Sequence, residues 1–250
     1  PTTDGLDVQL LRQDDQGTTA FVLDASLENY RWVAIPFAAP DQYTMTQTIS
    51  LKLANDGSAT GDVTVYGTGF IGRMLRLSAR NQETLTQGLQ KLANALMSSA
   101  RLVSHEVIDV KKLDRPAEVK LTVDVPTFAR HEGRELRVKI PVNWTPKNAI
   151  SLADRKRDLI LGIPQTMQWK VEIEAPTKAK IKRVPKSKTI KTPYFTVSRK
   201  VTKKRNRVFV TLTVKLTHYR VPVADYANAK RKLEKVIRML EEEIVFKLRN

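Results

Sequence analysis

The sequence predicts a mainly β protein with two packing helices, an α+β chain whose strands form antiparallel, sandwich-like domains. Apolar and polar side chains alternate in runs between residues 44 and 216, and only two segments carry a helical stripe. Asn, Asp, Gly and Pro punctuate the runs.

In chain order, Thr44 to Leu53 alternates as TMTQTISLKL, Asn55-Asp56-Gly57-Ser58 supplies a turn, and Thr60 to Tyr66 resumes the alternation. Such a pattern around an Asp-Gly step predicts a hairpin, because glycine accepts the positive φ that tight turns need. From Gln82 to Met97, Leu85, Leu89, Leu92 and Leu96 recur at steps of four, three and four, which predicts a helix with one apolar face. Strands are expected at Val119 to Val125, Leu136 to Ile140 and Met167 to Ile173. Val208, Val210, Leu212, Val214 and Leu216 make the longest clean alternation. A second helix is expected from Val223 to about Ile244, on the stripe Tyr226, Ala229, Leu233, Ile237, Leu240 and Ile244, with Pro222 just ahead of it.

Pro141, Pro146 and Pro164 mark a stretch where nearly balanced charge gives way to a strongly basic sequence. The expected organisation is a linker and strand segment over 1–43, a β-rich domain with an inserted helix over 44–145, and a basic β-sandwich domain with a terminal helix over 146–250. No run approaches the roughly 18 apolar residues of a membrane span.

The chain has 43 Lys and Arg against 26 Asp and Glu, a net charge of +17. Thirteen of those cations, with no acid among them, fall between Lys178 and Arg207. Ile181, Val184, Ile190, Tyr194, Phe195 and Val197 interleave with them, so the segment reads as cationic strands and not as a disordered arm. The candidate polyanion-binding residues are Lys178, Lys180, Lys182, Arg183, Lys186, Lys188, Arg199, Lys200, Lys203, Lys204, Arg205 and Arg207. In half-buried strands, Ile181, Tyr194 or Phe195, Val197 and Val201 should point inward. Lys180, Lys182, Arg199, Lys200 and the cations of 203–207 should stay in water, since a buried unpaired charge is costly. The KKRNR run at 203–207 breaks the alternation and predicts a hairpin tip, where charge discourages edge-to-edge association. Strong positive charge favours anionic partners: nucleic acid, lipid headgroups, an acidic polymer of the cell envelope, or an acidic protein.

Catalytic chemistry finds little support. There is no cysteine, which excludes disulfides, thiolate metal sites and a cysteine nucleophile. His105-Glu106 and His131-Glu132 open like a zinc-binding helix motif, yet neither has a second histidine four residues after the first. Gly67-Thr68-Gly69-Phe70-Ile71-Gly72 has dinucleotide-loop spacing, but no βαβ repeat or acidic ribose ligand follows it, so it reads as a turn between a strand and a helix. No catalytic residue, metal ligand or cofactor site is expected.

Several short segments resemble the region downstream of the catalytic core in bacterial transglutaminase-like proteins, where a papain-type core is flanked by β-domains of unknown function. Pro1-Thr2 resembles the residues that follow the triad Asp in that family's Leu-Asp-Pro-Thr segment. Gly17 to Leu23, Ile35-Pro36, Leu53 to Ala59 and Gly69 to Arg80 resemble the strand, link, hairpin and helix beyond it. Arg157 to Pro164, Val171 to Pro176, Val184-Pro185 and Val221 to Tyr226 are similar to later steps ending in the C-terminal helix. The resemblance implies a non-catalytic region that works beside an upstream Cys-His-Asp core in the bacterial periplasm or envelope. It carries no catalytic residue onto this chain, and the lysine density departs from the family's pattern.

Overall fold

β-branched and leucine-rich alternation gives sixteen strands among the described residues of a computed structural model, which describes residues 6, 10–25 and 29–249. The strands are β1 (Thr19–Leu23), β2 (Tyr30–Ala34), β3 (Thr44–Leu53), β4 (Ala59–Gly67), β5 (Arg101–Ile108), β6 (Ala117–Val125), β7 (Arg130–Glu132), β8 (Glu135–Lys139), β9 (Leu159–Ile160), β10 (Gln165–Glu174), β11 (Ala179–Arg183), β12 (Lys188–Lys191), β13 (Phe195–Lys204), β14 (Arg207–Leu216), β15 (Arg220–Val221) and β16 (Glu243–Leu248). Three helices accompany them: α1 (Gly69–Ser78), α2 (Gln82–Leu96) and α3 (Tyr226–Leu240). The α+β class read from sequence is therefore the observed one. Pro1-Thr2 lie outside the described residues.

Eight strands form one sheet in the order β12-β13-β14-β10-β3-β4-β6-β5. Every neighbouring pair is antiparallel except β10 and β3, which run parallel from Thr166 opposite Thr44 to Glu174 opposite Lys52. At that junction Val171 lies beside Ile49 and Ile173 beside Leu51, all buried, so two apolar stripes become one. Residues 44–125 supply one four-stranded half of this sheet and residues 165–216 the other, while the small sheet takes strands from both sides of residue 145. A second sheet, β11-β16-β8-β7, contributes Leu136, Val138, Ile244 and Phe246 to the same hydrophobic cluster as the large sheet.

Trp169, Phe195 and Phe246 are among the largest fully buried side chains. Each contributes on the order of 2–3 kcal/mol by leaving water. Helix α2 forms as expected. Asn81 caps it by accepting the Thr84 backbone N–H at 2.9 Å, and Leu85, Leu89, Ala93 and Leu96 form its buried face. No helix among the described residues is long and apolar enough to cross a membrane.

The C-terminal helix differs from its expectation. It stops at Leu240, and its buried stripe is Tyr226, Ala229, Leu233, Val236 and Met239. Ile244 belongs to β16, where it is fully buried between neighbours β8 and β11. Ile244 follows Leu240 by four residues and so mimics a helical step, while Ile244 and Phe246 alternate as a strand and find two open strand edges to pair with. The hairpin around Gly57 is as expected. Gly57 has φ +87°, and a Cβ there would lie 2.9 Å from the Ala129 carbonyl oxygen.

The large sheet has two unlike faces. On the covered face lie the core residues of β3, β10, β13 and β14. On the other face Thr48, Lys170, Thr211 and Lys200 stand side by side, half-buried to exposed.

Candidate functional site

The basic segment does not form one surface. Lys180, Lys182 and Arg183 lie on β11 in the small sheet, whereas Lys188, Arg199, Lys200, Lys203 and Lys204 lie on β12 and β13 in the large one. Lys178, Lys186, Arg205 and Arg207 are exposed in turns and at strand ends. Lys182 is paired with Glu135, reaching across β16 to β8. That hydrogen bond holds the Glu135 carboxyl below the usual range, against a smaller opposing effect of burial. Arg207 pairs with Glu172 at 2.7 Å and Glu174 at 2.8 Å.

Arg199 corrects the expectation that it stays in water. It is 3% exposed, on the same face as Phe195 and Val197. Its guanidinium donates to the Met239 carbonyl in the last turn of α3, to the Lys186 carbonyl at 2.8 Å and to Glu242 at 2.8 Å. A cation there satisfies one of the carbonyls a helix leaves unpaired at its C-terminus, which makes Arg199 a tie between α3 and β13. Alternation along β13 puts Arg199 on the inward face, between Val197 and Val201. Phe195 and Val197 are buried as expected, and Ile181, Tyr194 and Val201 are half-buried. The tip at 203–207 is a hairpin turn: Lys204 pairs with Arg207, and Arg205 sits at φ +54°.

The histidines are dispersed. His105 shares a 2.9 Å hydrogen bond with Gln82, and His218 lies 3.1 Å from the Thr217 hydroxyl with its ring edge-on to Tyr194. His131 lines a cleft of about 710 Å³ between the β3–β4 turn, the end of α2 and β8. Three of the charges that line the cleft engage one another: Arg130 and Arg137 approach Glu243 at 3.7 and 3.8 Å. The Asp56 carboxyl is held low by the Ser58 hydroxyl and backbone N–H, which donate at 2.7 and 2.9 Å. A second cleft, of about 590 Å³, opens beside Arg199 and Glu242. Among the described residues no three His, Asp or Glu side chains cluster as metal ligands. The glycine-rich stretch is a strand-to-helix turn in which Gly69 has φ +60° and a Cβ would lie 2.3 Å from the Tyr43 ring.

Sequence reasoning expected a strand at Gly17 to Leu23 and missed its partner β2 and the aromatic face that the β1–β2 hairpin makes. Phe21 faces Trp32 and Leu23 faces Tyr30 across five registered pairs. Phe21 contacts the Tyr30 and Trp32 rings at centroid distances of 5.4 and 5.0 Å. The three aromatics are 49%, 67% and 67% exposed for Phe21, Tyr30 and Trp32. The alternation Phe21-Leu23 and Tyr30-Trp32 was available as a signal, though nothing local says whether such a face is covered.

Residues 130–246 match a family described as a domain of unknown function with a solved structure (DUF3858). The matched segment runs from β7 into β16, so it takes in the small sheet, α3 and the four strands β10, β12, β13 and β14. No curated protein matches the chain. Among solved structures, a protease candidate from Parabacteroides distasonis is 15% identical with a TM-score of 0.40, over 47% of this chain and 24% of that one. An M1 zinc metallopeptidase from Deinococcus radiodurans is 10% identical with a TM-score of 0.26, over 83% of this chain and 42% of that one. The chain thus spans less than half the length of the solved proteins it matches, and likenesses this weak carry no argument about chemistry.

Proposed function

We propose that this chain is a non-catalytic interaction region of a larger transglutaminase-like or peptidase-like envelope protein, and that β1–β2 docks it to the catalytic core. The observation that carries this reading is the aromatic face of Phe21, Tyr30 and Trp32, left in solvent on a two-stranded hairpin. A lone hairpin is marginally stable in water, and exposed aromatic clusters of this kind are surfaces that partners cover. The hairpin also follows the segment resembling the end of the family's catalytic core, so that core is the partner closest in the chain. Lacking cysteine, the chain supplies no thiolate nucleophile of its own.

The experiment expresses separately the Cys-His-Asp core encoded ahead of Pro1 in the natural gene and titrates it against this chain. A one-to-one complex is expected, weakened at least tenfold by Phe21→Ser with Trp32→Ser while the chain's melting temperature is unchanged. A gene that encodes no such core, or equal binding by the double variant, overturns the reading.

A further inference from the structure

The open face of the large sheet carries a cation pattern distinct from the 178–207 run. Alternation places Lys170 of β10, Lys215 of β14, Lys200 of β13 and Lys191 of β12 on that face, all exposed. The registers set them in two rows. Thr211 lies between Lys170 and Lys200, and Thr196 lies between Lys215 and Lys191. The row between these two is neutral, with Gln168 donating to the Thr213 hydroxyl at 3.2 Å and Ser198 next to Thr213. On β10, β14, β13 and β12 no Asp or Glu stands in the three rows. Along these four strands the acids of this face begin at Glu172 and Glu174, which Arg207 engages. Among the described residues none of the four lysines has an ion-pair or hydrogen-bond partner for its ammonium group.

Spacing decides what this face fits. Strands lie about 4.8 Å apart, so lysines flanking one threonine are rooted roughly 10 Å apart, and the two lysine rows lie about 13 Å apart along the strands. A nucleic-acid strand carries a charge about every 3.4 Å of axis. Single strands are also gripped by stacking on aromatic rings, and these three rows of the C-terminal half contain none. Sparse cations separated by hydroxyl and amide groups complement a polymer with equally sparse anions and hydroxyls between them.

We propose that the open face of β10, β14, β13 and β12 binds an acidic polysaccharide. The lysine ammonium groups meet its carboxylates, and Thr211, Thr213 and Ser198 exchange hydrogen bonds with its sugar hydroxyls. This site is separate from the β1–β2 hairpin and does not depend on the docking role given to it.

The test titrates the chain at low salt with hyaluronate, which carries a carboxylate on every second sugar, with a single-stranded thymidine oligonucleotide and with neutral dextran. The wild type is expected to bind hyaluronate more tightly than the oligonucleotide and to leave dextran unbound. The fourfold variant K170Q/K191Q/K200Q/K215Q should lose at least tenfold in affinity. A fourfold variant of equal charge change elsewhere, K91Q/K111Q/K156Q/K235Q, should lose less than threefold. Circular dichroism melting checks that both fold, and Lys200→Glu alone, expected to lose several-fold, replaces the first set if it does not. Equal losses in both variants, tighter binding of the oligonucleotide, or no binding of hyaluronate overturns the proposal.

Discussion

Two hairpins of this molecule are built by the same local rules and reach opposite outcomes. In β13–β14, ten registered pairs run from Phe195 opposite Leu216 to Lys204 opposite Arg207, and one face is buried: Phe195 is 1% exposed. In β1–β2, five pairs carry an equally apolar face, yet Phe21 is 49% exposed. The difference lies in the surroundings. β13–β14 is extended on both sides, by β12 and β10, and its inner face packs into a cluster that includes Leu233 and Val236 of α3. β1–β2 forms a sheet of its own. Alternation therefore creates an apolar face, and only a neighbouring layer turns that face into a core.

The sharpest way to break this comparison is to truncate the equivalent aromatic in each hairpin. Phe195→Ala should cost about 3–5 kcal/mol in urea unfolding, since it removes a buried ring and leaves a cavity. Phe21→Ala in the isolated chain should cost at most roughly 0.5 kcal/mol, because little surface is removed from water. Similar losses at the two positions would show that the first hairpin is covered after all.

Next in size is the contrast between two arginines of β13–β14. Arg199→Ala should cost about 2–4 kcal/mol, because Glu242 and the Met239 carbonyl lose a buried charged donor. Arg207→Ala, at an exposed pair of carboxylates, should stay within about 1 kcal/mol. Denaturant midpoints of the two variants give the comparison directly, and an Arg199 variant as stable as the wild type would dismiss its role in tying α3 to the sheet.

The smallest effect is expected at the β13–β14 turn. Arg205 holds φ +54°, a conformation that costs a side-chain-bearing residue about 1 kcal/mol and glycine almost nothing. Arg205→Gly should raise the urea midpoint by a corresponding amount with an unchanged slope. A lower midpoint would mean that the arginine side chain contributes more at the tip than its backbone strain costs.

Much of this was legible in the sequence where the signal is local. The Asp56-Gly57 hairpin, the stripe of α2, the long alternation of β14 and the turn at 203–207 all follow from side-chain period and turn chemistry within about twenty residues. The candidate cations were less legible. Grouping Lys178 to Arg207 by proximity in the chain combined residues of two sheets, included the buried Arg199 and left out Lys170 and Lys215, which share the open face with Lys200. Parity along each strand told which face a lysine takes; it did not tell which strand stands next.

By itself the sequence determined the class of the fold, most of its longer strands, its turns and the large excess of positive charge, since these depend on composition and on neighbours along the chain. Tertiary structure alone decided three things. It joined β3 and β10 in parallel across more than a hundred residues, it made a strand of Glu243–Leu248 by offering it two edges, and it buried Arg199 against the end of α3. Each depends on which backbone edge or carbonyl arrives from a distant segment. No period, propensity or charge count within one segment encodes that arrival, because an unpaired edge and an uncapped helix end gain their partners only when the whole sheet closes.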